Sequence, residues 1–144
     1  MWQSILVALT FLMIQKTRRR KIVRMPGDGN CQFHSLAYPD LDHVEVRKNV
    51  VRHIEADWER FLPFVDEHES PMYVNQMSKN ATWGDELTLR AFSEVYDTTV
   101  KVFDARSGRM ISSYGSSPRV KALSYDGVHY NSLVPQWNSL DTLY

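Results

Sequence analysis

The sequence predicts an α+β domain, and three observations carry that expectation. Apolar residues recur at helical spacing through the first two thirds, alternation at period two takes over from Val100, and strong turn residues separate the pieces. With 144 residues the chain can bury one sizeable core but not two. Its 43% apolar and 24% charged residues are ordinary for a globular protein and exclude a fibrous or disordered chain. Residues 21–144 are read as one domain, preceded by an apolar and basic segment over residues 1–20.

Ile5 to Ile14 form a ten-residue apolar run broken only by Thr10, and no charged side chain precedes Lys16. As a helix, the uncharged stretch reaches about 22 Å, short of a hydrocarbon core of about 30 Å. A secretory signal would carry its positive charge ahead of the apolar run, and here the charge follows it. Two readings stay open: a helix packed on the domain, or a membrane-surface anchor whose basic flank meets anionic lipid. A third is that the start is not the native one. Arg18-Arg19-Arg20-Lys21 is a weak nucleic-acid or nuclear signal, because its neighbours are apolar rather than aromatic. No nucleic-acid partner is expected.

Ile22-Val23 predicts a short strand, and Pro26-Gly27-Asp28-Gly29 a tight turn. Cys31 opens an apolar helical segment through Phe33, Leu36 and Ala37 that stops before Pro39. A long amphipathic helix follows from Asp42, its N-cap, with Val44, Val51, Ile54, Trp58, Phe61 and Leu62 at helical spacing. Residues 71–79 suggest a short helix. Thr82 to Glu86 introduce another, with Leu87, Ala91 and Val95 on one face and acids in the first turn. Strands are expected at Val100–Phe103, Met110–Tyr114, Val120–Tyr125 and Val128–Val134. Asn80-Ala81-Thr82 matches a glycosylation acceptor, which chance explains better in a chain without disulfides.

Lysine plus arginine equals aspartate plus glutamate at 17 each, but the zero net charge hides a split. Residues 1–24 hold six basic residues and no acidic one, so the remaining 120 carry 11 basic and 17 acidic side chains, a net of −6. The chain is an acidic body with a basic collar.

Cys31 is the sole cysteine, so neither an intramolecular disulfide nor a cysteine-based zinc site can form. A lone cysteine is ordinarily a small buried hydrophobe. Cys31, however, follows Gly27 and Gly29 at the entry to a helix, where a thiolate is favoured. Those glycines let the amides around Asp28–Cys31 turn inward as an oxyanion hole. A catalytic thiol also needs a base. His43, His53 and His68 are most simply surface residues. His34 lies on the same short helix as Cys31, where linear proton transfer is hard to hold. His129 has Asn131 two residues on, and on a strand both face one side, so the amide can orient the imidazole.

Pro26-Gly27-Asp28-Gly29-Asn30-Cys31 with Phe33, then Thr82-Trp83-Gly84, then Val128-His129-Tyr130-Asn131-Ser132 together resemble the ovarian-tumour (OTU) family of cysteine proteases over about residues 20–135. The resemblance implies a papain-like fold, with helices packed on a small, mostly antiparallel sheet. It implies a thiol-dependent isopeptidase that removes ubiquitin, polyubiquitin or a ubiquitin-like modifier from conjugates. Cys31 matches the nucleophile, His129 the base, Asn131 the orienting residue, and Asp28 lies in the oxyanion loop. Trp83, Gly29 and Asn30 match substrate-contacting positions. No metal or cofactor is implied. The implied setting is the cytoplasm, the host's if the chain is viral, with membrane-surface association through residues 1–20 as the variant. Two departures, Gln32 for a more usual leucine and Asp85 for a second glycine, bear on substrate preference. The rival readings are a catalytically silent ubiquitin-binding module of the same fold, and an adaptor acting through residues 1–24.

Overall fold

The computed structural model describes residues 20–136; the packed-helix and membrane-anchor readings of the N-terminal segment fall outside these described residues. A first strand, β1 (Arg20–Val23), leads into the helices α1 (Cys31–Ala37), α2 (His43–Ala56), α3 (Trp58–Phe61), α4 (Tyr73–Met77) and α5 (Glu86–Val95). The strands β2 (Thr99–Asp104), β3 (Met110–Tyr114), β4 (Val120–Tyr125) and β5 (Tyr130–Pro135) follow. Helices first and sheet second is the expected α+β order.

Local chemistry explains where two of the helices begin. The Asp42 carboxylate accepts the Val44 amide at 3.1 Å and starts α2. Asp85 and Thr88 form a reciprocal capping box at α5. The single long helix expected from Asp42 to Leu62 is corrected: α2 ends at Ala56, Asp57 leaves helical geometry at φ −126°, and the chain restarts as α3 before a 3-10 turn at Leu62–Phe64. The break lets Asp57 take the Arg60 side chain at 2.6 Å. The buried stripe of α2 is Val46, Val50 and Ile54, one residue per helical turn. Val44, expected on that face, sits about 200° around the helix from Val46 and is 55% exposed.

The five strands lie in the order β1-β5-β4-β2-β3. All neighbours are antiparallel except β2 and β4, which run parallel from Thr99↔Val120 to Asp104↔Tyr125. A parallel pair needs a long connection; residues 105–119 supply it, and they include β3 on the outer edge of the sheet. The core lies between sheet and helices, with Phe33 and Leu36 of α1, Ile54 of α2, Leu89 and Phe92 of α5, and Val100 and Leu123 of the sheet all buried. Burial of each such side chain contributes about 1.5–3 kcal/mol relative to exposure. α1 packs between α2 and β5, so the residue opening α1 meets the residues opening β5.

An ion network ties the broken helix end to α5. Arg60 donates to both Glu94 oxygens at 2.8 and 2.6 Å, and His53 joins the same carboxylate at 2.7 Å. The Arg60 hydrogen bonds, aided by His53, hold the Glu94 carboxyl down at about 2 from its ordinary 4.5. A depressed folded-state value stabilises above the unfolded value and is lost as pH falls through the folded one. Glu94→Gln is therefore expected to cost about 1 kcal/mol at neutral pH, discounted for the half-exposed partners. Thermal unfolding of both forms from pH 7 downward checks this: the gap should narrow between pH 4.5 and about 2.

Candidate active site

The turn before α1 builds the first half of the site. Gly29 adopts φ +83°, and a Cβ there would lie 2.5 Å from the Ala81 carbonyl oxygen, so both its conformation and its close approach require glycine. Asp28 folds the turn back on itself by accepting the Asn30 amide at 2.9 Å, while its second oxygen meets His34 Nε2 at 3.1 Å. The Asn30 amide, then His34, hold the Asp28 carboxyl at about 2. Asp28 thus remains a carboxylate throughout the neutral range and shapes the loop, rather than shuttling protons. His34 is occupied with Asp28 and stacks on His43 at 3.8 Å between ring centroids. Burial, then the nearby His34, pushes the His43 imidazole below its usual value, so His43 is not the plain surface residue expected.

Cys31 opens α1 half-buried, and its Sγ accepts the Tyr130 amide at 3.5 Å. That contact brings the 129–131 segment from the far end of the chain onto the thiol. His129 precedes β5 rather than lying within it, which corrects the expected strand start at Val128. The Asp126 carboxylate holds it instead, accepting the Val128 and His129 amides at 2.9 and 2.7 Å. The expected His129–Asn131 pairing is present, with Nε2 3.1 Å from Asn131 Oδ1.

A third contact settles the imidazole tautomer. The Met25 backbone N–H reaches the same Asn131 atom at 2.9 Å. A backbone N–H can only donate, so that atom must be the amide oxygen. His129 Nε2 must then carry its proton toward Asn131, leaving Nδ1 as the basic nitrogen in the neutral ring. A thiol beside a basic, oriented imidazole can lose its proton and attack an acyl carbon.

The remaining expected residues are placed differently. Asn30 is 3% exposed, its side-chain amide is engaged by Arg47, Asn80 and Ala81, and its backbone N–H by Asp28, so it shapes the loop rather than meeting a substrate directly. Trp83 is 63% exposed and lines a groove of about 410 Å³ with Met72, Gln76 and Thr82, apart from Cys31 and His129. The two departures from the family pattern touch each other. Gln32, buried at 2%, accepts from Thr88 Oγ1 at 2.6 Å and donates to the Asp85 carbonyl at 3.2 Å, and a Cβ on Gly84 would collide with its amide. Tyr73 adds its hydroxyl to the Asp85 carboxylate at 2.9 Å. Sequence reasoning missed Met25, Asp126 and the Tyr130 amide, since backbone donors and a turn-forming aspartate leave no motif. Among the described residues no cluster could hold a metal ion, and no helix is long and apolar enough to cross a membrane.

Fold and site together place a lone thiol at a helix entry, against the start of the strand that carries Asn131 and follows His129, in an α+β domain with a mostly antiparallel sheet. The pattern of the OTU-like cysteine protease family matches residues 26–131, and the chain belongs to that family. It is 34% identical over 123 residues to the OVARIAN TUMOR DOMAIN-containing deubiquitinating enzyme 11 of Arabidopsis thaliana, covering 77% of this chain and 49% of that protein. The chain spans about half or less of the length of such curated relatives. Among solved structures, the viral OTU domain protease from Dera Ghazi Khan virus superposes with a TM-score of 0.71 at 19% identity, covering 85% of each chain. The Hazara virus OTU bound to ubiquitin does so with a TM-score of 0.65 at 22% identity, again over 85% of each. These likenesses establish the fold.

Proposed function

We propose that this chain is a cysteine-dependent isopeptidase that removes ubiquitin from conjugates. The observation that carries the proposal is the Tyr130 amide at Cys31 Sγ, because Tyr130 lies between the paired His129 and Asn131 in the chain. Relatives named as deubiquitinating enzymes and a neighbour bound to ubiquitin support the choice of substrate.

His129 Nδ1 takes the Cys31 proton, and the sulfur attacks the carbonyl carbon of ubiquitin's last residue, forming the C–S bond. Backbone N–H groups of the 28–31 loop stabilise the oxyanion; one such donor is typically worth about 3 kcal/mol. The tetrahedral intermediate collapses, the C–N bond breaks, and His129 returns the proton to the departing lysine amine. Water then attacks the thioester, its proton passing through His129 to the Cys31 sulfur as that sulfur leaves. Asn131 keeps the ring oriented throughout, held in turn by Met25. The net charge of −6 on residues 25–144 favours encounter with a basic peptide tail. The same chemistry would serve a ubiquitin-like modifier with a similar tail.

The test is incubation with ubiquitin bearing a C-terminal electrophile, read by intact mass. One equivalent of covalent adduct at Cys31 is expected. A wild-type protein that forms none, while its thiol still reacts with iodoacetamide, overturns the proposal in favour of a silent binding module. A parallel incubation with electrophiles built on ubiquitin-like modifiers decides which modifiers are accepted.

A further inference from the structure

Arg47 is the unusual buried group of this molecule. It lies on α2, is 5% exposed, and none of its recorded partners is a carboxylate. Its Nη1 donates to the Met77 carbonyl at 2.9 Å, and its Nη2 to the Thr82 carbonyl and to Asn30 Oδ1 at 2.8 Å each. The guanidinium lies 4.0 Å from the centroid of the Phe33 ring. Burying a charge on neutral acceptors is costly, and a side chain serving stability alone would be replaced by an apolar one at little loss. What the arrangement does provide is position. It joins α2, the 77–82 segment and the loop before Cys31 at one point.

Asn30 is the element the fork acts on. It occupies the cap position of α1, yet makes no side-chain cap bond to that helix. Its Oδ1 is claimed by Arg47 and by the Ala81 amide at 2.9 Å, and its Nδ2 donates to Asn80 Oδ1 at 3.0 Å. The side chain is thus pulled away from the helix it would otherwise cap. Gly29, wedged against the Ala81 carbonyl, fixes the same loop from the other side. With Asp28 accepting the Asn30 amide, the loop is held at three successive residues, 28, 29 and 30, just before the nucleophile.

We infer that Arg47, acting through the Asn30 side chain, is a positioning residue that sets the 28–31 loop so that its amides other than that of Asn30, which Asp28 already engages, can meet the developing oxyanion. The inference rests on Cys31 being the nucleophile of an acyl-transfer reaction. Misplacing such a loop by about 1 Å costs on the order of 10²-fold in rate.

Asn30→Ser and Arg47→Met test it, in the full 144-residue chain. Serine caps α1 by itself and leaves Arg47 its two carbonyl partners, so Asn30→Ser should fold even if Arg47→Met does not. In Asn30→Ser, kcat for a ubiquitin C-terminal amide should fall about 10–100-fold with KM within about threefold. Affinity for ubiquitin C-terminal aldehyde, whose adduct carries the oxyanion, should fall in parallel. Alkylation of Cys31 by iodoacetamide, which needs no oxyanion donor, should stay within about twofold of wild type. Unchanged kcat, or equal losses with aldehyde and iodoacetamide, would overturn the inference. Amide ¹⁵N–¹H spectra provide a reading independent of ubiquitin: the 28–31 resonances should move in Asn30→Ser, and unmoved resonances also overturn it. A wild type inert toward ubiquitin derivatives would instead show that the functional reading fails, with the loop still judged by those spectra.

Discussion

Cys31→Ala is expected to abolish both adduct formation with a ubiquitin electrophile and turnover of a ubiquitin C-terminal amide, a loss of about 10⁵–10⁶-fold. No other side chain can take over, because the chain holds one cysteine. The fold should survive. The sulfur is half-exposed, and its recorded hydrogen bond is the long 3.5 Å contact from the Tyr130 amide, on an already paired strand. A thermal midpoint within about 2 °C of wild type, corresponding to well under 1 kcal/mol, is the required control. Residual turnover above about 1% of wild type would move the chemistry elsewhere. Cys31→Ser should be nearly as inert, since a hydroxyl is a far weaker nucleophile than a thiolate at neutral pH.

His129→Ala is expected to lower kcat/KM by about 10³–10⁵-fold, most of it in kcat. In the proposed mechanism the histidine acts twice, once to remove the thiol proton and once to protonate the leaving amine. The Asp126 turn that holds residue 129 works through backbone amides and persists in the variant. Added imidazole should therefore enter the vacated space and restore part of the turnover, whereas alanine should respond to it no more than wild type when placed at His34. Asn131→Ala removes the oxygen shared by Met25 and His129 and should fall between wild type and His129→Ala, with little imidazole rescue. A loss under tenfold in His129→Ala would remove that residue from the mechanism.

How far the site was legible depends on how each part is encoded. The loop from Pro26 to Cys31 is legible because its chemistry is local: Gly29 must accept a positive φ, Asp28 bonds two residues on, and Cys31 begins a helix that Pro39 ends. The His129–Asn131 pair is legible by spacing, although the Asp126 turn rather than strand geometry supports His129. Gln32 and Asp85 read as isolated departures, yet they are two ends of one buried hydrogen-bonded group with Thr88. Arg47 belongs to none of the sequence motifs. Its burial follows only from the 77–82 segment lying across α2, which periodicity does not encode.

The sequence alone determined the order of helices and strands, most of their starts, and which residues are candidates for the reactive groups. Those properties depend on caps, turn residues and periodicities that act within a few positions of each residue. The tertiary structure alone decided the parallel pairing of β2 with β4, the break at Asp57, and the tautomer of His129. It also decided that Arg47 would reach Asn30, the residue before Cys31. Each of these needs segments far apart in the chain to meet, as Met25 meets Asn131 across 106 positions. The free energy of such meetings comes from burying whole faces against one another, and no local pattern records which faces those will be.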